Sequence, residues 1–252
     1  MEWTDTALVL RVGRFRETDL WVRLLARRRG LISAFAFGAS RSRRRFPGCL
    51  DLLNVIRVRA KDTRGGAYLN LEEGTLLEGP RRLRQDWRRL GMLMNCVRFL
   101  EALGVNPENA DDAFTLTRAL LALGEEADDL RPGLPVLYRL RLASDQGYVP
   151  DFSACGSCGA GLADAAHPGR FAMRDGLLLC TDCHAATAAG GETMIVSAGV
   201  LAALCTVQRA LPGAWNALAL SPEDWRACVR FSDVFVQFHL GLSWEKGRFR
   251  RQ

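Results

Sequence analysis

The sequence predicts an α+β protein: a small five-stranded β-barrel, followed along the chain by an α-helical domain, and a cysteine-ligated module inserted into that domain. Three observations predict this. Apolar residues alternate with period two as far as residue 79, then recur at helical spacing after Gly79-Pro80, and two C-x-x-C pairs interrupt the helical half. With 252 residues, 48% hydrophobic and 25% charged, the chain can bury a sizeable core, and its composition excludes a collagen-like or disordered protein.

Each strand can be justified in turn. Thr6-Ala-Leu-Val-Leu-Arg-Val12 places Leu8, Leu10 and Val12 on one face, and Leu20-Trp-Val-Arg-Leu-Leu-Ala26 groups Leu20, Val22 and Leu24. Gly30 breaks the pattern before a third strand over 31–37. Ile56-Arg-Val-Arg-Ala60 alternates strictly, Thr63-Arg-Gly-Gly66 reads as a turn, and residues 68–71 alternate again. Five short strands expose edges that closure removes. An OB-type barrel is the commonest five-stranded solution, with an SH3-like barrel as the competing choice.

Beyond Pro80 the apolar positions Leu83, Trp87, Leu90, Met94 and Val97 predict one amphipathic helix over 81–103. Further helices are expected around 109–123 and over 134–145, the latter stopped by Gln146-Gly147. Two more are expected over 197–211 and 221–242, and Ser221-Pro-Glu-Asp224 gives the last one an N-cap, an N1 proline and first-turn acids. Phe231, Phe235, Val236, Phe238 and Leu240 make it apolar nearly all round, as a core helix would be, with His239 as a satisfied core histidine. The longest uncharged stretch, 193–208, is too short and too often interrupted to span a membrane. The acidic start Met1-Glu2-Trp3-Thr4-Asp5 lacks a basic-then-apolar signal pattern, so a cytoplasmic protein is expected.

The net charge of +6 is unevenly divided. Residues 1–98 carry 21 Lys+Arg against 10 Asp+Glu, and residues 99–252 carry 13 against 18. The N-terminal part should therefore attract polyanions. All basic residues but Lys61 and Lys246 are arginine, whose fork binds phosphate bidentately and stacks on bases. Three clusters stand out: Arg27 and Arg28 with Arg29 at a turn; Arg41, Arg43, Arg44 and Arg45 in a Ser/Gly-flanked loop; and Arg81, Arg82, Arg84, Arg88 and Arg89 mainly off the stripe of the first long helix. Together they suggest one continuous nucleic-acid-binding patch, with Phe46 as a stacking platform. Trp3 and Trp21 could stack on bases too, although an aromatic residue in a strand is more often core. The resulting domain reading is an OB-fold nucleic-acid-binding domain at 1–79 and a helical domain at 80–252, with a zinc-binding insertion at about 152–186.

Of eight cysteines, Cys49, Cys96, Cys205 and Cys228 sit in apolar surroundings as small core residues. Cys155-Gly-Ser-Cys158 and Cys180-Thr-Asp-Cys183 are two knuckles that can close a tetrahedral shell around one structural zinc. Cys180 to His184 also matches the C-x-x-C-H haem motif, but that leaves the Cys155 pair unexplained, and a thioredoxin-like redox pair lacks its βαβ context. His184 reads as an exposed neighbour, and His167 has no evident partner. No Walker A, nucleophile elbow, H-E-x-x-H or dinucleotide fingerprint is present. The acidic pairs Asp111-Asp112, Glu125-Glu126 and Asp128-Asp129 keep a metal-dependent nuclease as an alternative, and a zinc-ribbon RNA-binding or transcription module is another.

Several of these pieces, in order along the chain, resemble the RecO family of bacterial recombination mediators. They are Ala7-Leu-Val-Leu-Arg11, Arg16-Glu-Thr-Asp-Leu20, Arg29-Gly-Leu-Ile-Ser33, Phe37-Gly-Ala-Ser-Arg41, Arg44-Arg-Phe46, Gly147-Tyr-Val-Pro150 and the two cysteine knuckles. The chain departs from the family's frequent lysine in the glycine-alanine loop, where it has only arginines. The resemblance implies a non-enzymatic DNA repair protein that binds single- and double-stranded DNA and anneals complementary strands. With RecR, such a protein would help load RecA on DNA coated by single-strand-binding protein, in the cytoplasm at the nucleoid. It also implies that zinc is a scaffold rather than the active principle.

Overall fold

Five strands close the N-terminal part of the computed structural model, which describes residues 1–63, 68–162, 168–186 and 193–252. They are β1 (Glu2–Arg14), β2 (Leu20–Ala26), β3 (Gly30–Ala36), β4 (Val55–Asp62) and β5 (Leu69–Glu78), ordered β1-β2-β3-β5-β4 in a closed barrel. All neighbours are antiparallel except β3 and β5, which pair in parallel through Ala34 with Leu69 and Phe35 with Asn70. That order, a Greek key rather than a simple meander, is the OB arrangement and displaces the SH3-like alternative. Of the expected turn at Thr63, residues 64–66 lie outside the described residues, as does His167.

The barrel interior takes Val22, Leu24, Ile56, Val58 and Ala60 at the alternation the sequence predicts. β1 differs. Its inward residues are Ala7 and Val9, because the register skips at Leu10, where Val9 faces Leu24 and Arg11 faces Arg23. This bulge returns Val12 to the inner side, and Leu8 and Leu10 are completely buried on the outer one. Helix α3 (Ala110–Glu126) touches β1, β2 and β3.

The expected single helix over 81–103 is two. A short turn α1 (Arg82–Gln85) stops at extended Asp86, and α2 (Trp87–Leu103) begins afresh. Asp86 Oδ1 accepts the N–H groups of Arg88 and Arg89, so the acid caps the new helix and resets its phase. Trp87, expected on the apolar stripe, is 77% exposed as a result. Glu125 of α3 closes the start of α1 by accepting the N–H groups of Arg81, Arg82 and Leu83.

The chain divides into two compact units, Met1–Leu93 with Gly104–Ala127, and Met94–Leu103 with Asp128–Gln252. In the second, α4 (Leu134–Asp145) ends where the sequence places its stop, with Gly147 at φ +82°. A three-stranded sheet of β6 (Gly169–Ala172), β7 (Leu177–Leu179) and β8 (Thr193–Val196) follows, with α5 (Thr181–Ala186) between β7 and β8. Then come α6 (Ala198–Arg209), α7 (Pro212–Asn216) and α8 (Pro222–Leu240). Asp224 joins two helix starts, accepting the hydroxyls of Ser197, which caps α6, and Ser221, which caps α8.

α8 is less of a core helix than its composition suggests. Phe231, Phe235 and Val236 are buried, but Phe238 is 59% exposed and Leu240 half-buried. The reason is chain reversal: Gly241 adopts a left-handed conformation and starts a hairpin of β9 (Leu242–Glu245) and β10 (Arg248–Arg251) that the helical reading missed. Lys246 and Gly247 both have positive φ, as a two-residue type I′ turn requires. His239 stacks on Phe235, yet its Nε2 is buried without a hydrogen-bond partner among the described residues, so it is less satisfied than expected.

Burial opposes the charge on Glu125, and the three N–H donors outweigh it, holding the carboxyl below its ordinary value. Its stabilising effect is therefore present above about pH 4.5 and lost as pH falls through the lower folded value. Glu125→Ala is expected to destabilise the protein by about 1–2 kcal/mol at pH 7 and progressively less towards pH 3. Thermal unfolding of both proteins across that range checks this; a deficit independent of pH would contradict it.

Candidate nucleic-acid interface and metal centre

The connection from β3 to β4, residues 37–54, carries the arginine loop and is fastened at several points. Gly38 N–H donates to Asp19 Oδ1 at 2.7 Å and Ser40 N–H to the Thr18 carbonyl at 3.1 Å, so the β1–β2 turn holds the start of the loop. Gly74 N–H on β5 donates to the Arg45 carbonyl at 2.8 Å. Asn54 Nδ2 donates to the carbonyls of Gly48 and Cys49. Phe46, expected as a stacking platform, is instead 5% exposed and plugs the barrel with Cys49. Gly74 makes room for that plug: a Cβ there would lie 2.8 Å from Cys49 Sγ.

The four arginines of the loop are not equivalent. Arg45 turns back to donate to the Phe37 carbonyl, and Arg41 pairs with Glu17 at 2.6 Å. Arg43 and Arg44 are exposed and have no ion-pair partner among the described residues. In the first cluster, Arg27 pairs with Asp111 on α3, and the backbone N–H of Arg28 donates to Asp5 Oδ2. Arg27, Arg28 and Arg57 line a groove of about 630 Å³ whose acidic residues are Asp5, Glu108 and Asp111. Arg29 lies over the half-buried Trp3 ring, 4.4 Å from its centroid.

Of the third cluster, Arg81 and Arg88 are exposed, the latter beside the Trp87 ring. Arg82 reaches towards the Glu126 carbonyl, and Arg84 donates to Asn54 Oδ1 at 2.8 Å and lies 3.2 Å from Asp51. Arg89 is largely buried, paired with Asp86 and donating to the carbonyls of Gly124 and Ala127. Nor do the first two clusters merge. Arg27–Arg29 forms the turn of the β2–β3 hairpin, while the arginine loop leaves from its open end, about 20 Å away at 3.3 Å per residue. Charge counting missed Asp19 and Glu17, the acids of a basic turn sequence that hold Gly38 and Arg41 of the loop.

The cysteine module is built from two turns held together by backbone bonds. Gly156 N–H donates to the Leu178 carbonyl, and Gly159, at φ +74°, donates to the Cys155 carbonyl. The entry to the module is tied to the helices by Gln208, which accepts Phe152 N–H and donates to the Pro150 carbonyl and Ser144 Oγ. Phe171 on β6 packs against Phe231 and Phe235 of α8, and Phe152 against Phe231. The sulfurs of Cys155, Cys158, Cys180 and Cys183 all lie within 4.8 Å of one another, and Cys158 Sγ is 3.9 Å from Cys180 Sγ. A tetrahedral ion with metal–sulfur bonds of about 2.3 Å would space its ligands by about 3.8 Å, so the donor set fits.

The remaining thiols behave differently. Burial pushes Cys49 up to about 11 and Cys96 and Cys228 to about 12, as inert core residues, and Cys205 is buried too. Cys155 is opposed by burial but pulled down to about 6 by the N–H groups of Cys158, Cys180 and Ser157, whereas the Cys158 sulfur drives its neighbour Cys183 up to about 12. A cation held by this group would favour the thiolate of Cys183 as well as that of Cys155. The half-buried His184 is not part of the group. Metal analysis is expected to find about one ion per chain. Cys158→Ser should remove it and lower the thermal midpoint, and acidification should release it as the thiolates protonate. Full metal content in the variant would contradict the site.

Residues 1–80 match the family described as Recombination protein O N terminal, and residues 84–248 the one described as Recombination protein O C terminal. Proteins named DNA repair protein RecO align along the whole chain. One from Nitratidesulfovibrio vulgaris is 55% identical and one from Oleidesulfovibrio alaskensis 51%, each over all of both chains. Another, from Lawsonia intracellularis, is 42% identical over 99% of both chains. The fold, the four-cysteine group and these full-length matches agree: this chain belongs to the RecO family of DNA repair proteins.

Proposed function

We propose that the protein is a non-enzymatic recombination mediator that binds single- and double-stranded DNA through the barrel's arginines and promotes annealing of complementary strands. The observation that carries this reading is the anchored loop. Backbone bonds hold residues 38–45 at one end of the barrel, leaving the cations of Arg43 and Arg44 exposed. Fixed cations of this kind contact phosphates without reading sequence, and they lower the repulsion between two strands brought together. The division of labour is a nucleic-acid-binding domain at 1–79 and a helical domain at 80–252. The acidic latter half is left for protein partners: RecR, and through it the loading of RecA on DNA coated by single-strand-binding protein. Arg81, Arg82 and Arg88 extend the DNA contact; Arg27, Arg41 and Arg45 exchange their protein partners for phosphate, while Arg84 and Arg89 mainly hold the fold.

The metal is zinc, bound for structure, since four cysteine sulfurs leave no open position. The nuclease alternative is weakened by the acids themselves, because Asp111 is engaged by Arg27 and Glu125 by three backbone N–H groups. No helix among the described residues is long and apolar enough to cross a membrane, and we place the working protein on the nucleoid in the cytoplasm.

Arg43→Glu with Arg44→Glu should weaken single-strand binding at least ten-fold and slow annealing. It should also reduce the slope of log affinity against log salt by about 1.4, two contacts at about 0.7 each. Fluorescence anisotropy across salt, with circular dichroism to verify the fold, checks this. An unchanged slope would remove the loop from the interface.

A further inference from the structure

The outer face of β1, β2 and β3 carries a group of aromatic rings that the arginine loop does not explain. Alternation on β3 is inverted: the small residues Ala34 and Ala36 point into the barrel, while Phe35 and Phe37 lie on the other side and are only half-buried. Phe35 meets Phe15 of the β1–β2 turn at 4.6 Å between centroids and Tyr68, next to β5, at 5.6 Å; Phe37 meets Tyr68 at 5.9 Å and stacks near Phe35 at 6.0 Å. Beside them, across β2, Trp21 is half-buried over Gly13, where a Cβ would meet its indole nitrogen at 2.1 Å. Apolar rings that merely filled the fold would be covered, yet Phe15 is 48% and Tyr68 44% exposed.

The charge around these rings identifies what they face. Arg16 lies 5.3 Å from the Phe15 ring centroid, and Arg11 on β1, opposite Arg23, is exposed. Arg23 on β2 donates to Ser33 Oγ at 2.9 Å, which holds its guanidinium along the outer surface of the sheet. No acidic side chain of β2 or β3 interrupts this face. Rings interleaved with arginines suit a polyanion that also presents flat π-faces, and unpaired bases do so while a closed duplex stacks them inside. We infer that Phe15, Phe35, Phe37 and Tyr68 form a base-stacking platform for unpaired nucleotides and thereby make the barrel favour single strands over duplex. This rests on the proposed DNA-binding role and deepens it: the anchored arginine loop holds phosphates of either form, and the aromatic face distinguishes the two.

The test compares three probes at one salt concentration: a thymidine oligonucleotide, an abasic oligonucleotide of equal length, and a duplex. Wild type should prefer the thymidine strand to the abasic one. Phe15→Ala with Tyr68→Ala, both at exposed positions, should lose about ten-fold or more on the thymidine strand. The same variant should change less than two-fold on duplex and keep the wild-type salt slope. Phe15→Tyr with Tyr68→Phe should restore wild-type binding. Equal loss on all three probes, or no loss on the thymidine strand, would overturn the platform while leaving DNA binding intact. Failure of wild type to bind any probe would overturn the DNA-binding role and the platform together.

Discussion

The parallel pairing of β3 with β5 is the constraint on which the N-terminal unit depends. A chain that seats β5 beside β3 cannot continue directly from β3 into a neighbouring β4, so it must travel between them through residues 37–54. That obligatory connection is where the arginine loop lies. It buries Phe46 and Cys49 as a plug and presents Arg43 and Arg44 outward. The same closure brings Phe35 against Tyr68, because the residue before β5 must reach β3. Topology thus produces both the cationic loop and the aromatic contact.

Asp19 converts this arrangement from a connection into a fixed surface. Only 9% exposed, it accepts the Gly38 N–H, while its own carbonyl accepts the Phe15 N–H and the neighbouring Thr18 carbonyl accepts that of Ser40. A buried carboxylate among arginines is costly unless it is hydrogen-bonded, and here the bond spans two turns. The cysteine module follows a similar logic in the second unit. Its core is too small to stand alone, so Phe152 and Phe171 dock it on α8 and a four-sulfur site closes its turns.

Much of this was legible in the sequence because it rests on local pattern. Strict alternation in Ile56-Arg-Val-Arg-Ala60 marked β4, Ser221-Pro-Glu-Asp224 marked the start of α8, and paired C-x-x-C spacing marked four ligands that the fold brings together. What escaped was set by partners distant in sequence or by small geometric shifts. The bulge at Leu10 reverses the faces of β1, and Asp86 breaks one helix into two because its side chain can cap the second. Arg89 counts as a cation in any charge tally, but it is buried against carbonyls that lie far along the chain. Phe46 went inside for a similar reason: its aromatic character was legible, but the room that Gly74 leaves for it lies on a strand far along the chain.

Hydrogen–deuterium exchange of the full-length protein, with and without a single-stranded oligonucleotide, tests the central claim most directly. If the barrel end built by β3–β5 closure is the DNA surface, bound DNA should slow exchange in residues 37–46 and in the β1–β2 turn, leaving the cysteine module unchanged. Protection confined to the cysteine module or the helices of the second unit, with the barrel unaltered, would contradict it.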